Sequence, residues 1–320
     1  MSDLPGRLCA WEASGRFFRV DGIRIWYRCV DQLGLSGVAE ADTDHRHEGA
    51  DDSRALVDRP DSGRPWLVCF HGFPTSSWDW HLLLPLIQAN YRILIFDLPG
   101  FGLSDKPVDR DYSLLTQLDA VEALLHHMDI QQFHILSHDM GNSVVCEMLY
   151  RREQGDYPFE PLTVTLLNGG IYMDLHRPLL TQRLLRQPVI GSLTARFSSW
   201  RVFRAQYPRV YADPERFDDV HYREQWALML HHRGRRTLAR VAGYMRERVR
   251  RGSRWTRPLE RLDRPLRLVW GSRDPIAVPE IAARLVRRRP QTRLLALDGV
   301  GHYPQIEAPE AVARALRERC

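Results

Sequence analysis

A carboxylate stands where the sequence changes from an apolar run to a helix-like pattern, between residues 133 and 145. Ser137 precedes Asp139 by two residues, and Gly141 follows it by two. This spacing of small residue, nucleophile and glycine is typical of a nucleophile elbow, a sharp turn that joins a strand to a helix and exposes its central side chain. The flanking residues must be small because the central residue is strained and the helix packs tightly behind it. The spacing therefore predicts Asp139 as the nucleophile.

Ser137 is the other candidate nucleophile in this stretch, and its neighbours argue against it. With Ser137 at the centre, the flanking positions would be Ile135 and Asp139, and neither residue is small. The spacing therefore favours a carboxylate over a hydroxyl. A carboxylate attacks an alkyl carbon usefully, whereas its attack on an ordinary ester would produce a reactive anhydride.

A carboxylate nucleophile needs a base that activates water in a second step and an acid that orients this base. His302 follows the last predicted strand, and Asp274 follows the strand before it. Both lie at the carboxyl ends of strands, the edge at which α/β sites form. Nucleophile, acid and histidine also occur in the order expected on such a sheet. We predict Asp274 as the acid, although capping of the turn before Pro275 is an alternative interpretation.

Two backbone N–H groups are predicted to stabilise the oxyanion formed during ester hydrolysis. One belongs to Met140, directly after the nucleophile at a predicted helix N-terminus. The other belongs to Phe73, where Gly72 permits a close backbone approach and Pro74 fixes the turn. His71 is expected to hold this loop through a hydrogen bond rather than to take part in catalysis.

The elements that must position these residues alternate between strands and helices. Predicted strands cover 16–20 and 23–30 as a hairpin, then 65–70, 91–96, a run from 133, 162–167, 266–270 and 293–297. Predicted helices cover the stretch after Thr75 to about 89, then 114–128, the elbow helix to about 150, 279–288 and 311–319. Nearly all-apolar strands that alternate with helices indicate an α/β fold, with a mostly parallel central sheet covered by helices on both faces.

The order of these elements predicts three parts. Residues 1–170 form the first part of the α/β core, residues 171–262 form an inserted helical lid, and residues 263–320 complete the core. A polar stretch at 33–63 is interpreted as an insertion or long loop. Its acidic and histidine residues at 44–48 resemble metal ligands, but a solvated loop is the better interpretation, and we expect no metal site.

The composition limits the class of protein. The chain has 320 residues, of which 44% are hydrophobic and 27% charged, and this fits one large globular domain. No apolar run approaches the ~18 residues that span a membrane, and the N-terminus lacks the apolar segment of a signal peptide. Five cysteines without a CxxC pair are typical of reduced thiols. We therefore expect a cytoplasmic protein without stable membrane insertion.

An arginine-rich tract at 233–257 raises the question of a nucleic-acid or anionic membrane partner. Its arginines alternate with Leu238, Val241, Met245 and Val249 at helical spacing. This pattern indicates the solvated face of an amphipathic helix, so we expect no nucleic-acid partner. The oligomeric state stays open.

Several motifs together resemble the α/β-hydrolase superfamily, and in particular its epoxide hydrolase and haloalkane dehalogenase branch. They are His71-Gly72-Phe73-Pro74, Asp97-Leu98-Pro99-Gly100-Phe101-Gly102, Ser137-His138-Asp139-Met140-Gly141, Gly271-Ser272-Arg273-Asp274 and Gly301-His302. Within this branch the chain looks most like the mesoderm-specific transcript group, through residues 167–171, 176–180 and the elbow. The resemblance implies the roles given above to Asp139, Asp274 and His302, and a chemistry without cofactor.

Differences from the branch bear on the substrate. Dehalogenases usually carry Trp after the nucleophile and often Asn after His-Gly, both as halide donors, whereas this chain has Met140 and Phe73. The resemblance therefore favours an epoxide, whose leaving oxygen takes a proton from lid tyrosines. The candidates are Tyr207, Tyr211, Tyr222 and Tyr244. Some dehalogenases also place their acid where Asp174 stands, so Asp174 is the alternative to Asp274.

The resulting hypothesis is a hydrolase that acts on a small apolar organic molecule and water through an alkyl ester of Asp139. An epoxide is the first choice of substrate. Dehalogenation, or hydrolysis of another small molecule, uses the same fold and is the first alternative. A non-enzymatic binding protein on a hydrolase scaffold is the second.

Overall fold

One sheet of eight strands forms the centre of the described chain. The computed structural model describes residues 4–31, 63–155 and 157–318. The strands are β1 (Arg16–Val20), β2 (Ile23–Val30), β3 (Trp66–Phe70), β4 (Arg92–Phe96), β5 (Gln132–Ser137), β6 (Glu160–Leu167), β7 (Leu266–Gly271) and β8 (Arg293–Leu297). Their order is β1-β2-β4-β3-β5-β6-β7-β8. Within the described sheet only the β1–β2 and β2–β4 pairs are antiparallel, which confirms the predicted mostly parallel arrangement.

Helices follow most of the parallel strands. They are α1 (Gly6–Ala13), α2 (Leu84–Ile87), α3 (Leu114–His127), α4 (Met140–Glu153), α5 (Leu180–Leu185), α6 (Pro188–Arg196), α7 (Trp200–Gln206), α8 (Asp219–Leu230), α9 (Leu238–Val241), α10 (Tyr244–Arg250), α11 (Gly252–Glu260), α12 (Pro279–Arg288), α13 (Pro304–Glu307) and α14 (Pro309–Arg317). Short 3-10 helices lie at Ser77–Trp80, Tyr207–Val210, Pro214–Arg216 and His231–Arg236.

The central strands are buried on both faces. Along β3, the side chains of Val68 and Phe70 belong to one hydrophobic cluster, and those of Leu67 and Cys69 belong to a second. Successive side chains of a strand point to opposite faces, so the two clusters lie on opposite sides of the sheet. This burial explains why the central strands are nearly continuous apolar runs in the sequence.

One predicted element is wrong in detail. A continuous helix was expected from about residue 75 to 89, but the chain forms a 3-10 turn at Ser77–Trp80 and then the short α2. Pro85 lies in the first turn of α2, where its missing N–H costs nothing. A helix that ran through this position would lose a backbone hydrogen bond there, so the chain starts a new helix instead.

Between β6 and β7 the described residues form helices and loops but no strand, in agreement with the predicted pattern. We call Leu180–Glu260 the helical insert; its function as a lid and the predicted domain boundaries stay predictions. The polar stretch at 33–63 lies outside the described residues except for Gly63. No described helix is long and apolar enough to cross a membrane.

Candidate active site

The elbow around Asp139 has the geometry that the spacing predicted. Asp139 has a φ of 47° and a ψ of −109°, and α4 begins at the next residue. A Cβ atom added to Gly141 would lie 2.5 Å from the carbonyl oxygen of Phe70. A Cβ atom on Gly169 would lie 2.8 Å from the Cα atom of Asp139. The turn therefore tolerates no side chain at Gly141, and Gly169 is a second close neighbour that the motif did not reveal.

The structure brings Asp139, His302 and Asp274 together. The Nδ1 atom of His302 lies 2.6 Å from Oδ2 of Asp274. On its other side, Nε2 of His302 lies 3.9 Å from Oδ1 of Asp139. All three side chains are almost completely buried. A histidine with an acid on one nitrogen and a nucleophile near the other is the arrangement of a catalytic triad.

Four hydrogen bonds to its carboxylate hold Asp274 in place. Oδ1 accepts the backbone N–H groups of Ile276 at 2.7 Å and Ala277 at 2.9 Å. Oδ2 accepts a hydrogen bond from Nδ2 of Asn168 at 2.7 Å and another from Nδ1 of His302. Asn168 was not predicted as a site residue, although it stands directly after β6, at the strand edge where site residues collect.

The protonation of His302 depends on its two acidic neighbours. Burial alone lowers the pKa of His302, but the charge and hydrogen bond of Asp274, together with the charge of Asp139, raise it to about 9. Burial also tends to raise the pKa of Asp274, and the nearby His302 reverses this and keeps the pKa below its ordinary value. His302 is therefore protonated in the free site at neutral pH.

The predicted oxyanion donors are both beside Asp139. The backbone N–H of Phe73 donates to Oδ2 of Asp139 at 3.0 Å. Met140 is the first residue of α4, so its N–H has no partner within the helix. His71 holds the Phe73 loop as expected, because its Nε2 accepts the backbone N–H of Leu98 at 3.0 Å. Its Nδ1 lies 2.9 Å from the carbonyl oxygen of Gly72.

An apolar cavity of about 300 Å³ adjoins these residues. Phe73, His302 and Tyr303 contribute from the core, and the helical insert supplies most of the remaining wall. The insert residues that line it are mainly aliphatic and aromatic, and they include Leu184, Leu185, Phe197, Val202, Phe203, Trp226 and Met229. The cavity can therefore take an apolar molecule beside Phe73 and His302, two residues of its wall that lie against the carboxylate of Asp139.

Of the four predicted tyrosines, only Tyr207 lines this cavity. The hydroxyl of Tyr211 lies 2.9 Å from Nε2 of His221, and the hydroxyl of Tyr222 donates to the carbonyl oxygen of Pro214 at 2.8 Å. The hydroxyl of Tyr222 is therefore engaged away from the cavity, whereas that of Tyr211 also donates at 3.3 Å to the hydroxyl of Tyr207, which lines the cavity. The pKa of Tyr207 is raised well above its ordinary value by burial and by Tyr211, so its phenol stays protonated.

Two further phenols lie close to the nucleophile. The ring of Tyr244 packs 5.6 Å from the ring of Phe73, and burial together with the charge of Asp139 raises the pKa of Tyr244. Tyr303 lines the cavity and was not predicted; burial and the charges of Asp79 and Asp139 raise its pKa. Its position directly after His302 was the signal in the sequence, because both residues share one loop.

Asp174, the alternative acid, does not reach the site. Its carboxylate forms an ion pair with Arg284 at 2.8 Å, and its side chain is 63% exposed. His302 is paired with Asp274 instead. The carboxyl edge of the sheet thus brings Asp274 to the histidine and leaves Asp174 at the surface.

A model of the alpha/beta hydrolase family matches residues 67–315, which is most of the chain. The chain belongs to the alpha/beta hydrolase family. The elbow, the buried acid and the histidine described above all lie within the matched residues.

Curated relatives agree with this assignment. The mesoderm-specific transcript protein of Mus musculus is 31% identical over 315 residues, which cover 96% of this chain and 85% of the relative. LipZ of Mycobacterium tuberculosis (strain ATCC 25618 / H37Rv), named as a hydrolase, is 34% identical over 251 residues, covering 78% of this chain and 86% of LipZ. The resemblance to the mesoderm-specific transcript group is thereby confirmed, and hydrolase chemistry is supported.

Solved structures share the fold of this hydrolase. An alpha/beta hydrolase fold protein from Burkholderia ambifaria superposes with a TM-score of 0.75 at 23% identity, covering 95% of this chain and 97% of that one. The haloalkane dehalogenase DbeA from Bradyrhizobium elkani USDA94 gives a TM-score of 0.73 at 21% identity, covering 95% and 96%. At this identity the likeness concerns the fold alone.

Proposed function

We propose that this hydrolase opens an epoxide through a covalent ester on Asp139 and then hydrolyses that ester to a diol. The observation that carries the proposal is the position of Asp139. Its carboxylate lies 3.9 Å from a histidine that is itself paired with a buried acid, beside an apolar cavity with phenols in its wall. Each part of this arrangement serves one step of the reaction.

In the first step, a carboxylate oxygen of Asp139 attacks an epoxide carbon and the C–O bond of the ring breaks. The electron pair of that bond goes to the leaving oxygen, which takes a proton from Tyr207 or Tyr303. An alkoxide is a strong base, so a proton delivered in the transition state is typically worth 10²–10⁴-fold in rate. Tyr244, beside Phe73 and near Asp139, is the third candidate donor.

In the second step, His302 removes a proton from water, and the hydroxide attacks the ester carbonyl carbon. The oxyanion that forms lies where Phe73 already donates its N–H to Oδ2 of Asp139 at 3.0 Å, and Met140 supplies the second donor. Collapse of the tetrahedral intermediate breaks the ester bond and releases the diol. The hydroxyl proton of the intermediate goes to the departing alkoxide, and His302 keeps the proton taken from water, so the site is restored with His302 protonated.

The two steps need different protonation states of His302, and the charge of Asp139 links them. While Asp139 is ionised it helps to hold the pKa of His302 at about 9, so His302 is protonated and takes no part in the attack. Ester formation removes that negative charge. The pKa of His302 then falls, its proton passes to the phenolate left by the first step, and the neutral imidazole becomes the base when water must be activated.

Dehalogenation is the alternative reaction for the same nucleophile. A departing halide needs N–H donors to solvate it, and the side chains of Met140 and Phe73 offer none. The phenols of Tyr207 and Tyr303 instead fit an oxygen that needs a proton. This chemical difference favours the epoxide.

Purified protein should be tested on a panel of small epoxides and chloroalkanes, with diol and halide measured separately. We expect diol from at least one epoxide and little halide. A single turnover in heavy-oxygen water should place the label in Asp139, because water attacks the ester carbonyl. Halide release faster than diol formation would replace the epoxide with a haloalkane. Label in the diol alone would contradict the covalent ester.

A further inference from the structure

Three helices of the insert expose large apolar side chains, and two of these side chains also line the cavity. Phe197 is 73% exposed and Leu180 is 66% exposed, although both are large and apolar. Ile190, Leu193 and Val202 are also exposed. Clustered exposed apolar side chains mark interaction surfaces, whereas single ones are ordinary. We call α5, α6 and α7 with these five residues the apolar face.

The sequence of helix α6 explains why its large apolar side chains are exposed. Gly191 and Ala195 lie on its packed side: a Cβ atom on Gly191 would clash with the carbonyl oxygen of Leu185, and Ala195 is 2% exposed. Ile190, Leu193 and Phe197 follow one another at three- and four-residue spacing, so they form a stripe along the other side. The small residues seat the helix, and the large apolar residues face outward.

The same stretch of chain carries positive charge only. Residues 175–212 contain seven arginines and no lysine, aspartate or glutamate. The arginines are Arg177, Arg183, Arg186, Arg196, Arg201, Arg204 and Arg209. Arg204 is paired with Asp219. Arg177, Arg183, Arg196, Arg201 and Arg209 are exposed, and within the described ranges none of these five forms an ion pair. The stretch therefore carries more positive charge than the whole chain, whose net charge is +5.

We infer that the apolar face docks peripherally on a lipid bilayer with anionic headgroups. Exposed apolar side chains beside arginines are the pattern of helices that lie in a membrane interface, where the apolar tips enter the acyl boundary and the cations contact lipid phosphates. A second copy of the chain fits less well, because a symmetric contact would bring two sets of unpaired arginines together.

The apolar face and the cavity wall share residues. Phe197 and Val202 of the apolar face also line the cavity, as do Thr181, Leu184 and Thr194 from the same helices. A lipophilic molecule could thus pass from the bilayer into the cavity without crossing water. Together with the proposed function, on which this step rests, the substrate class becomes an epoxide on a long apolar chain.

Docking is tested by flotation of the full chain with vesicles of phosphatidylcholine alone or with phosphatidylglycerol added. We expect binding to the anionic vesicles, and a loss of about tenfold or more with Arg183→Gln, Arg196→Gln and Arg201→Gln combined. Leu193→Glu with Phe197→Glu should also lose binding. The matched controls are Arg250→Gln, Arg257→Gln and Arg261→Gln combined, and Val249→Glu, all at exposed positions outside the apolar face. The controls should bind like the original protein.

Several outcomes would overturn the docking proposal. They are absence of binding to anionic vesicles, equal binding to both vesicle types, or an equal loss in the controls. A dimer in solution that Phe197→Glu dissociates would assign the apolar face to a second copy. These readouts need no catalysis, so they stand or fall separately from the proposed reaction.

The entry route is tested by hydrolysis of a long-chain epoxide dissolved in anionic vesicles and of a short water-soluble epoxide. The variant Ile190→Glu with Leu193→Glu, at two exposed positions that do not line the cavity, should lose binding to anionic vesicles and turnover of the vesicle substrate, and keep most turnover of the soluble one. Equal loss on both substrates would contradict entry from the bilayer. If neither substrate is turned over by the original protein, the proposed function fails, while the flotation result stands.

Discussion

The sheet edge and the helical insert contribute to the site in opposite ways. At the sheet edge, charged groups are buried and fixed by several hydrogen bonds each, as Asp274 is by Ile276, Ala277 and Asn168. The insert contributes apolar wall and phenols, and part of its apolar surface is exposed. We infer from this difference that the core supplies the candidate nucleophile, base and acid, whereas the insert supplies most of the cavity wall.

The two regions are joined close to the catalytic loop. The backbone N–H of His302 donates to the carbonyl oxygen of Val210 in the insert at 2.9 Å. Glu307, just after that loop, accepts the backbone N–H of Ala212 at 2.9 Å. The position of His302 thus depends partly on the insert. Substitutions in the core and substitutions in the insert therefore measure separately what each region contributes to the site.

Removal of the nucleophile should have the largest effect. Asp139→Ala should lower turnover by about 10⁴-fold or more, because no other group forms the ester. Ser137→Ala is the matched control in the same turn, since the Ser137 hydroxyl contacts Asn142 rather than the cavity. We expect it to keep most of the activity. Steady-state rates of both variants check this, and the opposite ranking would return the nucleophile to Ser137.

Changes at the base and its acid should come next. His302→Gln should still form the ester but fail to hydrolyse it, so intact-protein mass spectrometry should detect the adduct. Asp274→Asn should lower the rate of ester hydrolysis by about 10⁴-fold, as for other triad acids. Asp174→Asn, at the surface with Arg284, should stay within about twofold. A large effect of Asp174→Asn with a small one of Asp274→Asn would exchange the two acids.

Changes at the phenols extend the comparison to the insert. Tyr207→Phe and Tyr303→Phe should each lower epoxide opening, and removal of the true donor should cost 10²–10⁴-fold. Tyr222→Phe is the control within the insert, because its hydroxyl donates to Pro214 and not into the cavity. Tyr222→Phe should lower the free energy of unfolding by only about 1 kcal/mol. Single-turnover rates and thermal unfolding separate these effects, and unchanged rates in Tyr207→Phe, Tyr303→Phe and Tyr244→Phe would refute a phenol donor.

The smallest expected effect is a shift in pH dependence. The rate of ester hydrolysis should rise with pH as His302 loses its proton. The charge of Asp139 helps to raise the pKa of His302 to about 9 in the free site, and the ester lacks this charge. The rate should therefore level off below pH 9. Ester formation should not follow this curve. Asp274→Asn should move the residual curve to lower pH, since it removes a charge that raises the same pKa. Rapid-quench rates across pH check this, and a rate that falls as His302 deprotonates would contradict its role as base.

The sequence by itself determined the elements and the elbow. The strands are apolar runs because both faces of the sheet are buried, and this pattern is local enough to read along the chain. The bounds of β1, β2, β8 and α12 agree with the predicted ones. Asp139 and Gly141 were predicted because the crowding around a strained turn restricts residue types within five consecutive positions.

Only the tertiary structure decided which distant residues meet. Asp274 and Asp174 both follow strands, and the sequence favoured Asp274 without being able to measure its distance to His302. The orientation of each tyrosine depends on how the insert packs over the core, which brought Tyr207 to the cavity and turned Tyr222 away. Asn168 contacts Asp274 across 106 positions of chain. Strand order and helix packing set such contacts. They bring together residues that are far apart along the chain, and the separation of two residues in the sequence does not give their distance in space.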